Sequence, residues 1–183
     1  MRLDPVARVA VVRTHLELPG PEALRPAQNP DPRARVQRSE DCPASFFRYL
    51  YEEVGRHLAW TDRLGWTDEQ NAVRLADPGV SVHLLTVSGA PAGYFELERH
   101  DDGPVDIAYF GLLPEFHGRG LGKYLLTRAA EEALALGAGP VRVHTCTLDS
   151  PAALPNYLAR GFRKVREETY RAEIEGPGPN PSS

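Results

Sequence analysis

Cysteine is nearly missing: Cys42 and Cys146 are the only two in 183 residues. A pair so far apart excludes a disulfide framework, and neither has a second Cys or a His at zinc-ligand spacing. They read as free thiols in a reducing compartment, a cytoplasm; a single disulfide is the alternative without a supporting pattern. The six histidines show no H-x-x-x-H or comparable spacing, so no metal is expected. No apolar run approaches the roughly 18 residues of a membrane span. The opening Met1-Arg2-Leu3-Asp4-Pro5 lacks the apolar core of a secretory signal. An excess of positive charge is missing as well. The net charge is -4, which argues against a nucleic-acid partner held by a global field. Lysine is almost absent, with only Lys123 and Lys164 beside many Arg, Ala, Gly and Pro, and this points to a GC-rich bacterial genome.

What is present suits one ordinary domain: 42% hydrophobic and 25% charged residues. The reading is a single domain over 1–175 with a disordered tail, GPGPNPSS, over 176–183. Val6–Arg13 is β-branched and reads as a strand. Residues 18–43 carry Pro19, Pro21, Pro26, Pro30 and Pro32, which no helix tolerates, and read as a long loop draped over the surface. Phe46, Leu50, Val54 and Leu58 recur at helical spacing over Ser45–Trp60. Thr67-Asp68 caps a second short helix that ends near Asp77-Pro78-Gly79. Strands over Ser81–Val87, Gly93–Arg99 and Val105–Leu112 follow as an antiparallel meander, separated by turn sequences. A helix over Gly120–Leu136, a strand over Val141–Thr147, a helix over Pro151–Arg160 and a strand over Phe162–Ile174 complete the chain. The order gives an α/β fold with a mixed sheet covered by helices.

The sharpest local feature joins a strand to a helix: Pro114-Glu115-Phe116-His117-Gly118-Arg119-Gly120-Leu121-Gly122-Lys123. Its glycines let backbone N–H groups approach a ligand, and the helix that starts there adds free N–H groups and its positive dipole end. Arg119 and Lys123 add charge, so the segment suits a pyrophosphate. It is not a Walker A loop, because Tyr124 follows Lys123, and it is not the dinucleotide fingerprint, which needs Gly at 123 or 125. A glycine turn that only reverses the chain is the competing reading.

With His117-Gly118-Arg119-Gly120-Leu121-Gly122, the chain resembles the GCN5-related N-acetyltransferase (GNAT) superfamily, whose coenzyme A motif begins with Gln or Arg where this chain has His117. A second signature, Asn156-Tyr157-Leu158-Ala159-Arg160-Gly161-Phe162, is similar to the family's helix-borne tyrosine four residues before Gly-Phe. The resemblance is well marked over Ser81–Tyr170. It implies a mostly antiparallel sheet with a splayed parallel pair, and transfer of an acetyl group from acetyl-CoA to a primary amine by direct attack in a ternary complex. It further implies a CoA site at Phe110, Gly111, Leu112, His117, Gly118, Arg119, Gly120, Leu121, Gly122, Lys123 and Asn156. The backbone at Phe110 and Leu112 would pair with the pantetheine amides, and the Leu112 N–H would polarise the thioester carbonyl. Tyr157 would protonate the leaving thiolate.

An ammonium acceptor must also lose a proton. Asp106, 11 residues before His117, falls where the histone-acetyltransferase branch carries its catalytic glutamate. Strict alternation puts Asp106, Ala108, Phe110 and Leu112 on one face. Glu96 is a rival base, with Glu98 beside it, and His144 is a further candidate. In the superfamily the acceptor site is built by the first helices and their loop, where Trp60, Arg63 and Trp66 suggest a pocket for an apolar or cationic amine of a small molecule or peptide. The acidic remainder of the chain is compatible with a cationic acceptor. A non-catalytic acyl-CoA-binding sensor or interaction domain of the same fold is the alternative, and a homodimer stays open.

Overall fold

The structure is a computed structural model and describes residues 6–58 and 60–175. The opening residues and the expected tail at 176–183 lie outside the described residues. Among the described residues seven strands and four α-helices follow in this order: β1 (Val6–Leu18), β2 (Ala34–Arg38), α1 (Ala44–Gly55), α2 (Asp68–Leu75), β3 (Val80–Val87), β4 (Ala90–Arg99), β5 (Val105–Leu112), α3 (Leu121–Leu136), β6 (Val141–Cys146), α4 (Ala153–Ala159) and β7 (Arg163–Glu175). The strands make one sheet in the order β2-β3-β4-β5-β6-β1-β7, antiparallel throughout except for β5 with β6.

Alternation along the strands builds two cores. Phe95 and Leu97 of β4, Val105 and Ile107 of β5, and Val141 and Val143 of β6 face α3 and α4. Tyr94 of β4 and Val82 of β3 face α1, against Phe47, Leu50 and Val54. The sheet is therefore a middle layer between α1 and α2 on one face and α3 and α4 on the other. Thr67 caps α2 as expected: its side chain accepts from the Gln70 N–H while Gln70 reaches back to the Thr67 N–H. The β3–β4 turn has Ser88 at φ 51° and Gly89 at φ 84°, the left-handed pair that a tight hairpin requires.

The two ends of the sheet differ from the sequence reading. β1 runs on to Leu18 and lies between β6 and β7, so the amino-terminal strand is what joins β7 to the sheet. The Pro-rich stretch is not only a loop. A 3-10 turn forms at Pro21–Ala23, and Ala34–Arg38 pairs with β3 as the edge strand β2. Local polar bonds replace a helix here: the Asp31 carboxylate accepts from the Arg33 backbone and guanidinium, which holds its pKa down at about 2. The Ala27 N–H donates to Thr127 of α3 at 2.9 Å, so the stretch is tied to α3.

Gly161 shows why the segment after Tyr157 needs glycine. Its φ is +100°, and an added Cβ would lie 1.9 Å from the Ala23 carbonyl oxygen. Gly161→Ala is expected to cost about 2 kcal/mol or more, since backbone must move as well as adopt a strained φ. Gly89→Ala, with the same sign of φ but nothing within 4 Å, is expected to cost less. Urea unfolding of both variants checks the difference.

Candidate active site

β5 and β6 are paired only at Val105–Val141 and Asp106–Arg142. Beyond that point they part, and a gap opens between them. In β5 the register against β4 shifts between Glu96–Tyr109 and Leu97–Ile107, so one extra residue is accommodated in β5. This bulge overturns the strict alternation expected from the sequence. Ile107 faces α3, yet Phe110 and Leu112 do as well. Asp106 and Tyr109 face the opposite side, where α1 and α2 lie.

The bulge is followed by regular pairing that aims the backbone. The Leu113 N–H donates to the Ala92 carbonyl at 2.9 Å. Alternation then turns the N–H and C=O of Phe110 and Leu112 away from β4 and toward the gap. Gly111 lies between them because an added Cβ would meet Val54 at 2.5 Å and the Trp60 ring at 3.7 Å. The Leu112 carbonyl accepts from His117 Nε2 at 3.1 Å, so the imidazole is folded back onto the strand end.

The glycine loop takes left-handed conformations at Gly118 (φ 73°) and Gly120 (φ 75°), and α3 starts directly after Gly120 with no side-chain cap. The first N–H groups of α3, at Leu121, Gly122 and Lys123, are thus left for a ligand. Arg119 lies over the Phe116 ring and donates to the Glu115 carbonyl at 3.0 Å. Lys123 is exposed on the first turn. Asn156 of α4 donates to the Gly122 carbonyl at 3.2 Å, while its own Oδ1 is buried without a partner. Tyr157, one residue on, is 5% exposed and packs on Phe110 and Phe162. Burial, with Asp149 adding, raises its phenol pKa well above the usual value, so the group keeps its proton.

On the other face the same gap opens into a cavity of about 730 Å³. Asp106 lies at its apex and accepts from His100 Nε2 at 2.8 Å, while its second oxygen, Oδ1, is buried without a partner. That contact raises the His100 pKa. Tyr109, Arg63, Trp66 and His144 also line the cavity. Tyr157 and Asp106 therefore flank one gap from opposite faces of the sheet.

The acceptor residues expected from the sequence divide. Arg63 and Trp66 reach the cavity, whereas Trp60 packs under it against Tyr51, Tyr94 and Tyr109. Arg63 itself is the cation that the rings hold: its guanidinium lies 4.4 Å from the Tyr109 centroid and 4.8 Å from that of Trp66. It forms two bonds to Glu96, at 2.6 and 2.9 Å. Arg74 adds a third at 2.8 Å and also binds Glu98 at 2.7 Å. Glu96 is fully buried in this cluster. Arg74, Tyr109 and His100 were not singled out in the sequence, because only the register of β4 with β5 and the docking of α2 bring them here. Among the described residues no group of three or more His, Cys, Asp and Glu is placed to hold a metal ion. No described helix is long and apolar enough to cross a membrane.

A model of the acetyltransferase (GNAT) family matches residues 33–162. The chain belongs to that family. The GNAT fold recurs in solved structures. A GCN5-related N-acetyltransferase from Kribbella flavida superposes with a TM-score of 0.63 at 17% identity, over 92% of this chain and 60% of its own. A GCN5-related N-acetyltransferase from Sphaerobacter thermophilus gives 0.62 at 16%, over 94% of this chain and 54% of its own. The ribosomal-protein-S18-alanine N-acetyltransferase of Escherichia coli gives 0.58 at 15%, over 80% of this chain and 97% of its own. The chain thus spans little more than half of the first two and nearly all of the third. No curated protein matches the sequence closely enough to count as a relative.

The Glu96 cluster sets a stability test. Glu96→Gln leaves the buried Arg63 guanidinium without its carboxylate and Arg74 with Glu98 alone, and is expected to cost about 3–5 kcal/mol. Glu98→Gln removes a half-exposed partner and is expected to cost about 1 kcal/mol or less. Denaturant unfolding separates the two.

Proposed function

We propose that this GNAT domain moves the acetyl group of acetyl-CoA to a primary amine of a small molecule or peptide, by direct attack in a ternary complex. The observation that carries this reading is the gap between β5 and β6, with unpaired backbone amides along one wall and Tyr157 and Asp106 on its two faces. The residues fit the donor. The uncapped start of α3 suits the pyrophosphate, the N–H and C=O of Phe110 suit the amides of the pantetheine arm, and the buried Asn156 Oδ1 beside Gly122 lacks a hydrogen-bond donor. Bound acetyl-CoA would supply an activated thioester with a thiol as leaving group.

On this reading the chain's own residues divide the chemistry between them. The acceptor enters from the cavity on the α1–α2 face. Asp106 is the carboxylate with an unpartnered oxygen there, and it takes the ammonium proton, with His100 behind it as the route to solvent. Glu96 is engaged by Arg63 and Arg74 and organises the wall instead. The Leu112 N–H faces the gap, where it polarises the carbonyl under attack. Tyr157 keeps its proton at neutral pH and gives it to the departing sulfur. The free cysteines and the absence of a long apolar helix among the described residues are compatible with a cytoplasmic enzyme.

Acetyl-CoA at a hundred times its Kd is expected to raise stability by about 2.7 kcal/mol, read as a thermal shift. No shift at millimolar donor would remove both the catalytic reading and the acyl-CoA sensor. Tyr157→Phe is expected to retain the shift and lower kcat by about a hundredfold. Asp106→Asn is expected to erase the acidic limb of the rate profile and to lower the His100 pKa in an NMR titration, since the carboxylate is the main cause of its elevation. Unchanged kcat in both variants would remove the roles given to Tyr157 and Asp106, whereas donor binding without turnover of any amine would leave the sensor reading in place.

A further inference from the structure

The charges that line the acceptor cavity are four arginines and four carboxylates: Arg63, Arg74, Arg142 and Arg166 against Glu17, Asp62, Glu98 and Asp106. Their pairing is unequal. Arg63 is bound by Glu96, and Arg74 by Glu96 and Glu98. Arg142 is bound by Glu17 at 3.1 Å, and Arg166 lies 3.6 Å from Glu168. Every arginine of the wall has a carboxylate. Asp62 and Asp106 have no arginine or lysine partner among the described residues; Asp62 accepts only from the Tyr109 hydroxyl, and Asp106 only from His100. The aromatic faces are also spoken for, because Arg63 already lies over Tyr109 and Trp66. A ligand cation would therefore be recognised by carboxylates and not by an aromatic cage. A ligand carboxylate would have to compete with Glu17 for Arg142 and with Glu168 for Arg166.

We propose that the acceptor is a dicationic aliphatic amine, a free diamine or polyamine without a carboxylate, which places its reacting nitrogen at Asp106 and its remote ammonium at Asp62. The proposal rests on the acyl-transfer reading above. Asp106 and Tyr109 stand opposite Glu98 and Glu96, two residues apart on β4, so the bulge sets them roughly 7 Å apart along one face of β5. The Tyr109 hydroxyl donates to Asp62 Oδ2 at 3.3 Å, which leaves the second oxygen of this exposed carboxylate for an ammonium. Trp66 and Ala108 also line this cavity and suit a methylene chain.

Calorimetry on the full chain saturated with CoA tests this with four probes: 1,5-diaminopentane, spermidine, 1-aminopentane and 5-aminopentanoate. The diamines are expected to bind about tenfold or more tightly than 1-aminopentane, and 5-aminopentanoate most weakly. Rising salt is expected to narrow the diamine advantage. Asp62→Asn is expected to collapse it and Asp62→Glu to restore it, and neither exposed change threatens folding. Equal affinity for monoamine and diamine, tighter binding of 5-aminopentanoate, or a lysine peptide binding better than the diamines would overturn the proposal. So would the failure of all four probes in a protein that binds CoA, which would leave the acyl-transfer reading standing. Failure to bind CoA would overturn that reading first and the diamine acceptor with it.

Discussion

Two parallel strands that begin as partners and then part leave backbone N–H and C=O groups without bonds on both walls of the opening. Such groups are costly when buried and unpaired, so the gap between β5 and β6 is stable only if water or an extended ligand satisfies it. The pairing holds at Val105–Val141 and Asp106–Arg142 and stops there. The rest of the architecture supports that break. The bulge in β5 sets which residues face each side, α3 and α4 cover one face, and β1 holds the far wall by pairing with β6.

The break also separates two kinds of chemistry. On the α3 face the environment is apolar, and Tyr157 sits among Phe110 and Phe162 with its proton held by burial. On the other face the wall is built of paired charges. The Arg63–Glu96–Arg74 cluster is fully engaged, with Arg63 and Glu96 buried, so it contributes shape and rigidity, not affinity for a charged ligand. Asp106 and Asp62 are the exceptions on that wall; Asp106 has one oxygen on His100 and the other without a partner. Glu96 and Asp106, on neighbouring strands, thus differ in their pairing, and the proposed division of roles rests on that contrast.

Much of this was legible in the residues, and the reasons are local. Thr67 with Gln70, the turn glycines and the glycine loop before α3 act over a few residues, and each appears where its spacing places it. The second signature around Tyr157 was legible for the same reason, since Gly161 ends α4 with a local left-handed φ, although the close approach of Ala23 there was not. What was hidden depends on long-range pairing. No periodicity in β5 announces the bulge that moves Phe110 and Leu112 to the face opposite Asp106. The insertion of β1 between β6 and β7 is a property of the whole sheet. The edge strand inside the Pro-rich stretch has only Ala34–Arg38 between prolines and a turn, too short a run to stand out. The tryptophans could be placed near the acceptor side, but not the fact that Arg63 occupies the ring faces.

The central claim is that the β5 wall of the gap is the docking edge for the arm of the donor. Amide hydrogen exchange resolved to single residues reads it directly. With acetyl-CoA bound, exchange at Phe110 and Leu112, and at Leu121, Gly122 and Lys123 at the start of α3, is expected to slow markedly, while Gly111, already paired with β4, changes little. Donor binding that leaves Phe110 and Leu112 exchanging as fast as in the free protein would contradict it.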